Sequence, residues 1–231
     1  IRLLWLYTII MNGLFMIPVL VPYYEAQIGL TFQDFLIGEA FFALVVVLLE
    51  DPSGWLSDIW NRKRVLFLAM VFELAAVTAL LLADSLLDAV IAQGLFGVSI
   101  SLVSGTNMAL LYDSLIVLNR TDDYTRLAGR QQGFGLYAVG AASLVGGGLY
   151  AFDPYAPLYL QMMTVFGGMI CSAFMIEPPR SKRAAEKHPL ADMLETMKYA
   201  LHGHIEIGLI IVFSAMLFSS TKLIMWMQQP Y

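Results

Sequence analysis

Seven apolar segments, each long enough to cross a lipid bilayer as a helix, constrain this chain more than any other feature of its sequence. A spanning helix needs about 20 mostly apolar residues, because the hydrocarbon core is about 30 Å thick. None of the segments alternates apolar and polar residues as a strand of a membrane barrel would. The sequence therefore predicts an all-α integral membrane protein. The segments cover roughly 3–24, 33–57, 63–83, 87–117, 130–151, 156–176 and 205–229.

The composition agrees with lipid as the solvent for most of the chain. Hydrophobic residues make up 59% and charged residues 13% of the 231 residues, whereas about 25% of residues in soluble domains are charged. Nothing in the sequence indicates nucleic-acid binding. A phosphate-binding glycine loop and a nucleophile–base pair are both missing, so we expect neither an enzyme nor a cofactor. Cys171 is the single cysteine, and its apolar surroundings are typical of a small buried residue.

The cations indicate how the spans are oriented. The connections near 23–33, 84–88 and 151–157 carry acids but no Lys or Arg. Because cytoplasmic loops carry an excess of cations, we predict a cytoplasmic N-terminus and cytoplasmic linker in the plasma (inner) membrane. All but one of the 13 Lys and Arg fall on the cytoplasmic side in this topology: Arg2, Arg62, Lys63, Arg64, Arg120, Arg126, Arg130, Arg180, Lys182, Arg183, Lys187 and Lys198.

The spans fall into two sets separated by a long charged connection. We predict an N-terminal six-helix bundle over 1–178, a cytoplasmic linker over 179–204, and a seventh transmembrane helix over 205–231 that begins a second half. The chain looks like part of a longer protein. Within the linker, residues 189–201 are predicted to form a helix on the membrane surface, because their apolar residues recur at helical spacing. These residues are Leu190, Met193, Leu194, Met197 and Leu201.

A charged stretch between the second and third spans carries the strongest motif. It reads Gly54-Trp-Leu-Ser-Asp58-Ile-Trp-Asn61-Arg62-Lys63-Arg64. This is similar to the pattern G-x-x-x-D-R-x-G-R-R between the second and third helices of major facilitator superfamily transporters. Together with the six spans, the linker and the seventh span, it makes the chain resemble the N-terminal half of such a transporter, whose two halves surround one central cavity.

Two positions depart from the pattern of the family. Ile59 stands where the motif has its first Arg, which leaves one cation out of the loop. Asn61 stands where it has its second Gly. Since Asn can adopt a left-handed turn, we expect the backbone bend to survive.

The resemblance implies roles for this motif in a gate. The stretch from Ser104 to Leu115 is similar to the end of the fourth helix in the family, and its acid, Asp113, would pair with Arg62. Asp58 would face a helix N-terminus of the opposite half, beyond Tyr231. Anchoring by cations and simple helix capping by acids are the alternatives. The predicted gate residues are Gly54, Asp58, Arg62, Lys63, Arg64 and Asp113.

Ionisable residues inside the spans are candidates for a substrate or coupling site, because such residues usually face a cavity or a partner. Glu39 lies about 9 Å into the second helix, at 1.5 Å per residue. It is the candidate for binding H⁺ or another coupling ion. Lys222 either pairs with an acid, receives an anionic substrate or extends toward the interface. For Glu73 we expect a structural pairing.

Uncharged polar residues give a weaker set of candidates. The first, fourth and seventh helices line the cavity in the family, so their polar residues either contact substrate or form interhelical hydrogen bonds. The two linker histidines, His202 and His204, have no further ligand at suitable spacing, so no metal site is predicted. The uncharged candidates are Asn12, Asn107, Tyr137, Gln228 and Gln229.

The resemblance implies a secondary active transporter that moves a small molecule by alternating access, as a monomer of two halves. Proton coupling is a hypothesis only. Val90 stands where many proton-linked exporters carry Arg, and the glycines between Gly140 and Gly148 lack the proline of their fifth helix. A non-transporting receptor or assembly partner with the same fold is the main alternative, and a channel is another.

Overall fold

The computed structural model describes residues 1–179 and 205–229, and helices make up the secondary structure of these two ranges. The chain divides into two compact units, Ile1–Arg183 and Ala184–Tyr231. The predicted surface helix at 189–201 lies outside the described residues. The α-helices are α1 (Arg2–Met11), α2 (Leu20–Tyr23), α3 (Phe32–Ile59), α4 (Arg62–Leu81), α5 (Leu86–Val117), α6 (Tyr124–Tyr150), α7 (Ala156–Ala173) and, in the second unit, α8 (Ile205–Met227).

Five of the described helices, α3 to α7, are long and apolar enough to cross a membrane. Their bounds match the second to sixth predicted spans to within a few residues, except that α6 begins at Tyr124 rather than near residue 130. This confirms the predicted all-α membrane bundle. At 32 residues, α5 is about 48 Å long, which exceeds the hydrocarbon thickness of about 30 Å. One end of α5 must therefore lie beyond the hydrocarbon core.

The first predicted span is not one continuous helix. Helix α1 stops at Met11, and Asn12 to Met16 follow an irregular path. Short helical turns then run from Ile17 to Ile28, including a π-helical turn at Tyr24–Ile28. Local chemistry explains the break, since a glycine at position 13 weakens a helix and two prolines further on lack the backbone N–H that a helix needs. Hydropathy alone does not detect such a break.

The core of the first unit forms around α4, which packs against both α5 and α7, while α1 packs against α6 and α7. Helices α3 and α5 pack closely at Gly97, where a Cβ atom would lie 3.0 Å from the Phe42 carbonyl oxygen and from the Val45 side chain. Small residues allow such close approach between membrane helices. The central buried side chains are Leu4, Tyr7, Met11, Leu66, Met70, Leu110, Leu111, Leu127 and Val165.

Candidate functional site

The motif stretch forms the connection between α3 and α4. Helix α3 runs through Pro52 and Gly54 without interruption to Ile59, and α4 starts at Arg62. Trp60 and Asn61 are both extended, with φ of −90° and −80°. The expectation of a left-handed turn at Asn61 is therefore wrong. A two-residue extended link joins the helices, and any residue adopts that backbone, so no glycine is needed there.

Arg62 lies between two carboxylates from neighbouring helices. Its Nη1 is 2.9 Å from Asp113 Oδ2 on α5, and its Nη2 is 3.4 Å from Asp58 Oδ1 at the end of α3. The pair with Asp113 has the distance of an ion pair but not the alignment of a hydrogen bond. The Arg62 and Asp113 side chains are 10% and 15% exposed, whereas Asp58 is 49% exposed. The structure thus brings together Asp58, Arg62 and Asp113.

A further acid, Glu177, holds the start of α4. Its two carboxylate oxygens accept hydrogen bonds from the backbone N–H groups of Arg62 (3.0 Å) and Lys63 (2.9 Å). These N–H groups have no partner within the helix, and the positive end of the helix dipole favours an anion at this position. Because Glu177 follows α7, these hydrogen bonds link the start of α4 to the segment after α7.

Lys63 also connects the start of α4 to the end of α7, but as a donor rather than an acceptor. Its Nζ donates to the backbone carbonyls of Ala173 (3.3 Å) and Met175 (3.1 Å), at the end of α7, where the dipole favours a cation. Sequence reasoning placed Lys63 in the gate and missed Glu177. No local spacing could have identified Glu177, because it lies 115 residues from Arg62 along the chain.

Two other predicted gate residues stand apart from this cluster. Arg64 is exposed, and no described contact joins it to Arg62 or to the acids. Gly54 has no described atom within 4 Å of the point where a Cβ would lie. Gly54 therefore makes no close packing contact with the residues that the structure describes.

Two of the predicted cavity residues meet at α1. Asn107 on α5 donates from Nδ2 to Thr8 Oγ1 at 3.2 Å, and Asn12 donates from Nδ2 to the Thr8 carbonyl at 2.8 Å. Asn12 also lies against α6, since a Cβ on Gly135 would be 3.1 Å from its Nδ2. Sequence reasoning missed Thr8, although a hydroxyl within an apolar span is a signal for an interhelical hydrogen bond.

Several buried polar atoms of α1, α5 and α6 have no hydrogen-bond partner in the described part of the chain. They are Trp5 Nε1, Asn107 Oδ1 and both amide atoms of Gln131. The ring of Trp5 lies beside that of Phe134 on α6, with the centroids 5.5 Å apart. Buried polar groups normally have a partner. These atoms can therefore bind a polar group or water.

Glu39 forms an interhelical contact. Its Oε1 accepts a hydrogen bond from Gln93 Nε2 on α5 at 3.0 Å, and the side chain is partly buried. Gln93 also lies against Gly38, where a Cβ would be 3.2 Å from Gln93 Cγ. The carboxylate of Glu39 is thus tied to α5 through a neutral amide.

The remaining cavity candidates lie on α6 and in the second unit. Tyr137 is 80% exposed on α6. In the second unit, Lys222 Nζ lies 5.4 Å from the centroid of the Trp226 ring, one turn further along α8, which is the geometry of a cation–π contact. Gln228 and Gln229 follow the end of α8, with backbone N–H groups bonded to Ile224 and Trp226.

A cavity of about 420 Å³ opens in the first unit between the start of α1, the end of α5 and the segment after α7. It is mainly apolar, with Arg2, Leu4, Leu110, Ser114 and Met175 among its lining residues. None of the predicted substrate residues lines it. Among the described residues, no group of three or more His, Cys, Asp or Glu could hold a metal ion.

The sequence matches a family profile described as Major Facilitator Superfamily over residues 3–229. The match begins in α1 and runs beyond α8, so it covers both units. No curated protein matches the sequence.

Proposed function

Because this chain belongs to the major facilitator superfamily, a family of transporters, we propose that it is a secondary active transporter that moves a small molecule by alternating access. The family and the five apolar helices make it a multi-pass membrane protein. The observation that carries the proposal is the Arg62 cluster, defined here as Arg62, Asp58, Asp113, Lys63 and Glu177.

The Arg62 cluster joins the ends of four helices. Arg62 begins α4 and reaches the end of α3 through Asp58 and α5 through Asp113. Glu177 and Lys63 connect the start of α4 to the end of α7. Helix ends linked by ion pairs move together, so this edge of the bundle can act as one rigid body. Alternating access needs such a body, because it depends on rocking of one bundle against another.

Asp58 is the member of the cluster that we assign to the gate contact. It lies in the last turn of α3 and is about half exposed, whereas Arg62 and Asp113 are mostly buried. A carboxylate at this position is suited to the N-terminus of a helix in the second half, where the dipole favours an anion. The ion pair with Arg62 would hold Asp58 in position for that contact.

We assign substrate contacts to Asn12 and Asn107, with Tyr137, Lys222, Gln228 and Gln229 as further candidates. The shared contact of Asn12 and Asn107 with Thr8, and the unpartnered Asn107 Oδ1, support a polar binding region at this level of α1. A substrate group that donates a hydrogen bond would satisfy Asn107 Oδ1. Such a site would favour a polar or amphipathic small molecule.

We assign ion coupling to Glu39. It is the acid that faces Gln93 within the α3–α5 contact, and a carboxylate held there by a neutral amide can take up and release a proton.

The proposed topology has the N-terminus and the linker in the cytoplasm, with the protein in the plasma (inner) membrane. The skewed distribution of Lys and Arg supports it.

The test of transport is a ligand-stabilisation screen of the complete protein, followed by uptake of each stabilising compound into liposomes at two pH values. We expect saturable uptake, with a pH dependence that Glu39→Gln abolishes. Compounds that bind but are not taken up would favour a non-transporting receptor. A pH dependence retained in Glu39→Gln would overturn the assignment of coupling to Glu39.

A further inference from the structure

Glu73 is a buried acid that the proposed transport mechanism does not use. It lies on α4, 11 residues after Arg62 and therefore about 16 Å along the helix. Its side chain is 2% exposed. Oε1 accepts a hydrogen bond from Gln161 Nε2 on α7 at 2.8 Å, whereas Oε2 has no hydrogen-bond partner in the described part of the chain.

The groups around Glu73 offer no described cation. Tyr7 on α1 donates its hydroxyl to the Leu66 carbonyl, and Cys171 on α7 donates to the Leu3 carbonyl. On the neighbouring helices the described acids have contacts of their own: Glu39 with Gln93, Glu50 with Ser104, Asp58 and Asp113 with Arg62, and Asp88 with Ser85. An ionised carboxylate at Glu73 would be a buried charge with a single neutral donor, which is strongly unfavourable.

Gln161 connects this acid to the break in the first span. Its Oε1 accepts a hydrogen bond from the backbone N–H of Phe15 at 3.0 Å. Phe15 lies in the irregular segment after α1, where its N–H also donates to the backbone carbonyl of Gly13 at 3.1 Å, two residues back rather than four as in a helix. Backbone at membrane depth must be satisfied within the protein. A side-chain amide of α7 therefore supplies a second acceptor to this turn, from outside the broken span.

The orientation of the Gln161 amide follows from these two contacts. A backbone N–H can only donate, so Gln161 must turn its oxygen toward Phe15 and its NH₂ group toward Glu73. Glu73 then has to present an acceptor oxygen, and the carbonyl oxygen of a neutral carboxylic acid can accept this bond, although a carboxylate oxygen is the stronger acceptor. The neutral form avoids the buried charge.

We infer that Glu73 is a proton-binding site inside the six-helix unit, and that its neutral acid orients Gln161 to hold the break of the first span. The ligand is a proton, because a metal cation would need more oxygen donors than the described carboxyl and amide supply. The proton is bound as the O–H of Glu73. This site is distinct from the coupling role proposed for Glu39.

Infrared spectroscopy of the complete purified protein tests the bound proton directly. We expect the carboxylic-acid C=O absorption at neutral pH to lose the contribution of one group in Glu73→Gln. The exposed Glu25→Gln variant is the matched control and should keep the wild-type spectrum. Glu73→Asp retains an acid and should shift the band rather than remove it. An unchanged spectrum in Glu73→Gln would overturn the inference.

Hydrogen exchange tests the connection to the break. A Gln at position 73 still offers an acceptor oxygen, so exchange at Phe15 should remain as in the wild type in Glu73→Gln. In Gln161→Leu the side-chain acceptor is gone and only the turn to the Gly13 carbonyl remains, so exchange at Phe15 should be about tenfold faster, while α4 keeps its protection. Equal exchange at Phe15 in wild type and Gln161→Leu would overturn this part of the inference. Neither measurement requires transport, so failure of the proposed function would not affect the outcome.

Discussion

Arg62 shows how a buried charge is tolerated at the edge of this bundle. Its guanidinium is mostly out of solvent and lies against one buried and one half-exposed carboxylate. Burying an ion pair costs desolvation energy that the attraction only partly offsets, so the pair is better explained by a positional role than by stability. The resemblance to the family implied the pairing with Asp113, and the two side chains lie 2.9 Å apart. The contact with Glu177 depends on packing between distant parts of the chain and left no local signal.

Loss of one carboxylate should destabilise the protein because it leaves Arg62 only partly compensated. We expect Asp113→Leu to lower the free energy of unfolding in detergent by about 3 kcal/mol, the lower end for a broken buried pair, since Asp58 remains nearby. Replacing both partners, in Arg62→Leu with Asp113→Leu, should recover part of this loss. Asp123→Asn, in an exposed cluster with Arg120 and Arg126, is the control and should leave the free energy of unfolding nearly unchanged, because solvent screens exposed ion pairs.

Among the helices, the first span differs most from its prediction, because α1 ends at Met11 instead of continuing to about residue 24. Hydropathy averages over a window, so it predicted the existence and extent of the second to sixth spans but not the break after Met11. The break is stabilised by partners that the local sequence does not specify: Gln161 binds Phe15, and Gly146 on α6 makes room for its backbone. The hydrogen bond between Asn107 and Thr8 was missed for the same reason, since it depends on the packing of α5 against α1.

The contact between α6 and the irregular segment after α1 gives a prediction in which Gly147 serves as the control for its neighbour Gly146. A Cβ at Gly146 would collide with the backbone of Phe15, whereas a Cβ at Gly147 would meet no described atom within 4 Å. Gly146→Ala should therefore lower the free energy of unfolding by about 1–3 kcal/mol, as overpacking does. Gly147→Ala should be neutral or stabilising by up to about 1 kcal/mol, because Ala favours a helix. Equal melting temperatures for the two variants in detergent would contradict this close contact.

At the scale of the whole molecule, the family and the helical bundle agree with the sequence prediction, while sidedness and mechanism rest on proposal. The match over residues 3–229 includes α8 as well as helices α1 to α7 of the first unit. The motif was informative because its residues stand at a spacing that can be recognised in the sequence. The substrate candidates were less predictable, because a polar residue in a span has the same sequence signature whether it binds a substrate or a neighbouring helix.

The proposed topology can be tested with single cysteines in a Cys171→Ser background. The two substitutions are Asp84→Cys and Asp122→Cys. Asp84 lies on the connection before α5 and Asp122 on the connection before α6, and both native side chains are exposed. In intact cells a membrane-impermeant maleimide should label residue 84 and leave residue 122 unlabelled until the membrane is permeabilised. The opposite pattern would invert the orientation that the cations predict.

The most direct test of the central claim is counterflow of a labelled substrate in liposomes that contain the wild-type protein, Asp58→Asn or Asp122→Asn. If Asp58 stabilises a closed gate during alternating access, Asp58→Asn should insert and bind ligand normally. Its counterflow should be about tenfold slower, which corresponds to about 1.4 kcal/mol in a barrier. Asp122→Asn, with an exposed acid outside the Arg62 cluster, should match the wild type. Wild-type counterflow in Asp58→Asn would contradict the gate, and non-saturable flux in the wild type would contradict alternating access.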